Sequence, residues 1–240
     1  LGRSITSDPR RDQPEDLFTR ARLYAATAPE TFVLLGNAAF EGRHVINGVD
    51  GREGWRDILA EVDLMAYWQP READRHTFFL RVAAAGGWRV DLPFQLTLGG
   101  AAGVRGFRNE DFPGSRRILI SAEDRFYLGW PFPDLFDLGG TVFADAGRMW
   151  ADDLGLGVDS GWRGTVGAGL RFGFPAGSRS IARLDVGVPF GGGGDFGDLV
   201  LRVSFRDLIG FTAGLEDVQV ARSRRSRIGA DVFSPVRAIR

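Results

Sequence analysis

Apolar and polar residues alternate along most of this chain with a period of two. In GTVGAGLRFGF, Val166, Ala168, Leu170 and Phe172 are apolar, while Thr165, Gly167, Gly169 and Arg171 are small or polar. RILISAEDRFYL sets Ile118, Ile120, Ala122 and Phe126 against Ser121, Glu123, Arg125 and Tyr127. IARLDVGV sets Leu184, Val186 and Val188 against Arg183, Asp185 and Gly187, and LVLRVSF sets Leu199, Leu201, Val203 and Phe205 against Arg202 and Ser204. Upstream, ILAEVDLMAYW puts Ile58, Ala60, Val62 and Leu64 opposite Glu61 and Asp63. Successive side chains of a strand point to opposite faces, so this period predicts strands with one apolar and one polar face. With LFTRARLYAA, FVLLGNAAFE, TFFLRVAA and TVFADAGRMW, about nine strands follow, separated by Gly, Pro and Asp clusters, with no helical segment between them.

The connectors alternate in length. TAPET, WQPREADR, WPFPD and PAGSR are compact, whereas GRHVINGVDGREG, GGAAGVRGFRNEDFPG, ADDLGLGVDSG and FGGGGDFG are mostly longer and rich in Gly. Short turns at one end and long loops at the other is the plan of bacterial outer-membrane barrels. Aromatic residues near strand ends, including Trp68, Trp130, Phe132, Trp150 and Trp162, suit the two interfacial girdles of such a barrel.

A β-sandwich or a lipocalin-like barrel has the same periodicity. Two features favour the membrane arrangement. The polar face carries charges in mid-strand (Glu123, Arg171, Asp185, Arg202), as a hydrated interior does. The other face is almost wholly aliphatic and aromatic over many strands, a larger apolar area than a soluble monomer leaves uncovered. A second sheet could still cover it.

Composition removes other classes. The 240 residues are 44% hydrophobic with a formal net charge of -1, so the chain is not a disordered tail and carries no nucleic-acid footprint. The absence of cysteine excludes disulfides and thiol chemistry, and no apolar run reaches the roughly 18 residues of a membrane-spanning helix. Catalysis finds little footing: there is no GxSxG element, and the two histidines, His44 and His76, fall in loop or strand-end positions. Glu61 and Asp63 are more simply wall charges than an acid/base pair, and GGGGDFGD occurs once, without the nonapeptide period of a calcium repeat. No enzymatic activity and no cofactor or metal is expected.

The loop GGAAGVRGFRNEDFPG, residues 99–114, holds the candidate site. Downstream, the polar faces of the next two strands present Glu123 and Asp145. If the loop folds back onto that face, the Arg105 guanidinium can fork onto both carboxylates. Gly103 and Gly106 would let the backbone approach, and Phe107 would pack beneath. Arg125, Phe143 and Gly147 flank the two acids as supporting residues.

In order, GG with VRGF, SAEDR, FADAG with a following Trp, GAGLRFGFP and RLDVGVPF resemble the C-terminal barrel half of the BamA/TamA and two-partner-secretion transporter superfamily, the bacterial surface antigen domain. The resemblance spans roughly residues 75 to 211. It implies that Gly103, Val104, Arg105, Gly106 and Phe107 form a loop tip inserted into the barrel, with Glu123 and Asp145 as its acidic partners. It also implies the bacterial outer membrane as location, lipid and client outer-membrane or secreted polypeptides as partners, accessory assembly proteins reached through periplasmic domains upstream, and insertion or translocation of proteins as function. The family barrel has about sixteen strands, so the chain reads as a partial barrel: a linker or loop over 1–16, barrel strands over 17–211 and a basic extension over 212–240. Asp124 departs from the pattern by falling on the apolar face. Two alternatives stand beside this: the membrane anchor of a patatin-like hydrolase, or a soluble β-rich binding module.

Overall fold

The computed structural model describes residues 2–4, 16–46, 53–73, 75–91, 94–99, 103–108, 111–128, 135–153, 157–174, 180–191 and 199–207. Its strands are β1 (Gly2–Ser4), β2 (Asp16–Thr27), β3 (Phe32–Val45), β4 (Gly54–Trp68), β5 (His76–Trp88), β6 (Arg116–Tyr127), β7 (Asp137–Trp150), β8 (Gly161–Gly173), β9 (Ser180–Phe190) and β10 (Val200–Asp207). All lie in one sheet in sequence order, each antiparallel to the next. The sheet is open among the described residues, with β1 and β10 at its edges. A single 3-10 turn at Arg71–Ala73 is the only helical element described.

The nine long strands coincide with the nine alternating segments of the sequence; β1, only three residues long, is additional. The tail 212–240, like residues 5–15 of the expected linker, lies outside the described residues. Apart from that turn, the described residues are therefore all-β. No second sheet covers the first among the described residues.

The two faces differ sharply in chemistry. One exposes a continuous apolar surface that includes Val62, Leu64, Leu80, Val142, Val166, Leu170 and Leu184, and on β10 Leu201 and Val203 are each 63% exposed. The opposite face buries Asn37, Glu61, Asp63, Glu123, Asp145, Arg171 and Asp185. The usual core-in, polar-out order of a soluble sheet is thus reversed.

The sheet curls around this polar face. Glu123 on β6 and Arg183 on β9 lie three strands apart, roughly 14 Å along a flat sheet at ~4.8 Å per strand, yet their side chains meet at 3.2 Å. A bulge between Glu41 and Arg43 adds local bend where β3 pairs with β4.

Aromatic residues gather at both ends of the apolar face. At the end carrying the longer connectors, Trp55 packs edge-on against Phe40 and His44, and Trp88, Trp150, Trp162 and Phe190 lie on the neighbouring strands. At the short-turn end, Trp68 packs on Phe78, and His76 lies between Phe78 and Phe126. Trp130 and Phe132 lie outside the described residues.

The β5–β6 connector occupies the concave face. It enters by an isolated bridge between Leu96 and Gly114. Leu96, Leu98 and Val104 are fully buried and join Ala83 and Ala85 of β5, Leu119 of β6 and Met149 of β7 in the apolar core, with Phe94, Phe107 and Phe112 packed against it. Each of the three buried loop side chains contributes about 1.5–3 kcal/mol. That anchorage holds the loop tip deep inside the curl.

Candidate functional site

The loop tip is turned by Gly106, whose φ of 90° lies in the region that favours glycine; a Cβ there would stand 2.8 Å from the Thr165 hydroxyl. At Gly103 a Cβ would strike the carbonyl oxygens of Leu98 and Gly99. Between them, Val104 donates its N–H to the Leu98 carbonyl at 2.9 Å and fixes the preceding turn. This geometry aims Arg105 across the sheet.

Arg105 Nε and Nη2 donate to Asp145 Oδ2 and Oδ1 at 2.6 and 2.7 Å, and Nη1 donates to Glu123 Oε1 at 2.7 Å. Its backbone N–H also donates to Asp145 Oδ2 at 3.2 Å, and its carbonyl accepts from the Thr165 hydroxyl. All three charged groups are buried. The structure therefore brings Arg105, Glu123 and Asp145 into one forked contact, the arrangement for which a planar guanidinium is suited.

Phe107 does not lie beneath the guanidinium. The ring there belongs to Phe143, with Arg105 Cζ 3.6 Å from its centroid. Positive φ at Gly106 turns Phe107 away, where it packs edge-on against Phe112 beside the Leu96, Leu98 and Val104 core. Phe143 lies flat because β8 and β9 place glycines beneath it: a Cβ on Gly167 would stand 2.6 Å from Phe143 Cζ, and one on Gly187 3.4 Å away. Sheet backbone, aromatic ring and guanidinium thus form three layers.

Gly147 plays a similar part under the loop. A Cβ there would come within 2.9 Å of Leu98 Cδ1 and Val104 Cγ2. Arg125 bonds Glu123 Oε2 through Nε at 2.7 Å and lies 4.3 Å from the Phe79 ring centroid.

Polar-face charges outside the expected set of Arg105, Glu123 and Asp145 complete the cluster. Arg171 donates to Glu123 Oε2 at 2.7 Å, and Arg183 donates to Glu123 Oε1 at 3.2 Å while also reaching Asp185 Oδ2 at 3.2 Å. Asp185 lies 3.8 Å from Arg105. Glu123 is therefore held by four guanidinium groups, whereas Asp145 takes its ion pair from Arg105. Their mid-strand charge on the polar face was the available signal, but their convergence depends on the curl.

Two further contacts tether the loop. Arg117 Nη1 donates to the Thr97 carbonyl at 2.6 Å. Near the loop's start, Arg43 donates to Asp91 at 2.8 Å and to both Asp16 and Asp57 at 3.0 Å. Asp63, on the polar face as expected, faces Arg81 at 2.6 Å.

The arrangement can hold a loop rigidly against a wall. Among the described residues no cluster of His, Asp and Glu is arranged to hold a metal ion. His44 and His76 sit at strand ends with aromatic neighbours, away from the Arg105 cluster. No protein-family model matches the chain, and no curated protein is similar to it.

Proposed function

We propose that this chain is part of an outer-membrane β-barrel that acts in the insertion or translocation of proteins. The single observation that carries the reading is the reversed sheet, apolar outside and ionic inside, with a loop locked into the ionic side by Arg105. A bilayer covers such an outer face, and strands of 11 to 15 residues, as in β3 to β9, reach or exceed the roughly 9–11 needed to cross it. The aromatic rows at both ends suit its two interfaces. The resemblance of VRGF, SAEDR and FADAG to the surface antigen barrels supplies the transport function. An exposed strand edge is costly in lipid, so on this reading the free edge of β10 is where a further strand pairs.

The experiment has two arms. The protein extracted from outer membranes in mild detergent migrates faster when folded and shifts on boiling; a protein soluble without detergent and without a shift overturns the membrane reading. Arg105→Ala, or neutralisation of Glu123 and Asp145 together, then impairs client assembly while the barrel itself still inserts. Unimpaired assembly in both variants removes the lock from the mechanism.

A further inference from the structure

We propose that the apolar face of β4–β7, at its short-turn end, binds one zwitterionic glycerophospholipid through a primary ammonium headgroup; this rests on the membrane reading above. The site is a groove of about 630 Å³, a volume typical of small-molecule sites. It is lined by the adjacent Ala122 and Ala144 of β6 and β7, by Ala66 of β4 on the far side of Leu80, and by Trp68 and Val142. Trp68, Leu80 and Val142 are large, apolar and exposed, so the groove is a trough between side chains. An acyl chain fills a trough of that shape with methylene contacts alone.

One end of the groove is not apolar. Asp124 lines it, and both carboxylate oxygens lie 3.0 Å from His76 Nδ1. A charge on a lipid-facing strand costs up to a few kcal/mol near the bilayer centre and little at the interface. Asp124 pairs in register with Phe78, only two residues from the start of β5. It therefore stands at headgroup depth.

The chemistry of this end is specific. His76 meets Asp124 through Nδ1, which leaves Nε2 as the ring nitrogen that can face a phosphate group. The Asp124 carboxylate accepts from an ammonium, whose charge the neighbouring Trp68 and Phe78 faces also attract. The pair sets a carboxylate beside a ring nitrogen, one partner for each half of a zwitterion. An anionic headgroup brings no cation of its own to the Asp124 carboxylate, and a quaternary ammonium cannot donate a hydrogen bond to it.

The test uses the full chain in vesicles of equal parts phosphatidylethanolamine, phosphatidylcholine and phosphatidylglycerol, released into the mass spectrometer with bound lipid intact. One retained phosphatidylethanolamine is expected, about tenfold over either competitor, the size of one charge-assisted contact. Asp124→Asn lowers that preference to near unity, and Ala122→Trp, which fills the trough from an exposed position, removes the retained lipid. Equal retention of the three lipids by the unaltered chain, or unchanged retention in both variants, overturns the site and leaves the membrane reading standing. A chain that does not enter the vesicles overturns both.

Discussion

Asp145 depends on Arg105 for its ion pair: two guanidinium nitrogens and the backbone N–H of that one residue converge on its carboxylate, whose side chain is 1% exposed. Glu123, a few ångströms away, has Arg125, Arg171 and Arg183 in addition. The two acids that read as equivalent partners in the sequence are therefore unequal in the fold.

That inequality has an energetic signature. Removing one member of a buried ion pair costs about 3–5 kcal/mol because the other charge is left unpaired. Arg105→Ala should lose about that much in denaturant titration of the detergent-folded protein, and Arg105→Lys should recover little, since an ammonium cannot fork. A double-mutant cycle with Asp145→Asn should give a coupling of about 1–3 kcal/mol, larger than the cycle with Glu123→Gln. Equal couplings would sink the asymmetry.

Gly106→Ala tests the loop tip. Its φ of 90° strains any other residue there, and the substitution should destabilise by more than about 1 kcal/mol. Thr165→Ala removes the hydroxyl that the new methyl would meet. If the double variant is as stable as Thr165→Ala alone, steric contact rather than backbone strain explains the glycine.

The layered stack predicts compensation across strands. Gly167→Val should push the Phe143 ring out of its place and loosen the loop, read as faster hydrogen exchange at residues 103–108. Phe143→Leu alone forfeits the ring under the guanidinium, worth about 0.5–2 kcal/mol. Combined, the two substitutions should cost less than their sum; strict additivity would show that the ring and the glycine act separately.

At the long-loop end, Asp159 is held below the usual aspartate range, first by the side-chain hydrogen bonds from Arg148 and then by the Gly161 N–H. A depressed carboxylate stabilises the fold above its unfolded pKa, and that contribution fades as pH falls through the folded value. Carboxyl NMR should therefore place the Asp159 midpoint below about 3.9, the value of an unperturbed Asp, and Arg148→Ala should move it up toward that value. An unchanged midpoint in the variant would exclude Arg148 as the cause.

Much of this architecture is legible in the sequence because a period of two reports strands and faces directly. Val166, Leu170 and Phe172 against Thr165 and Arg171 identify the exposed and the inward side of β8 before any coordinates. The pairing of Arg105 with two acids is also legible, since each lies on the same face of a neighbouring strand. What alternation does not encode is curvature. Arg183 reaches Glu123 only because the sheet closes the distance across three strands, and the hydropathy of β9 carries no trace of that bend. The choice of Phe143 over Phe107 as the underlying ring depends on a single positive φ, a loop dihedral with no periodicity to betray it. Leu96 and Leu98 alternate too, but between the last residues of β5 and the glycine-rich loop the run is too short to mark a strand, and nothing in it assigns them to the core.

The tethered loop links two groups of strands, β2–β4 and β6–β8, that share no hydrogen bonds across the intervening β5. Through Arg43 it is tied at Asp91 to β2, β3 and β4, and through Arg105 to β6, β7 and β8. It acts as a tie rod across the hollow: the separation of the two walls is set by the span between those anchor points, as a spoke sets the distance from hub to rim. A sheet left open at both edges, as this one is among the described residues, would otherwise be free to flatten by twisting strand against strand. Here its radius is imposed from within, and lengthening or slackening that one segment would change the width of the whole curl.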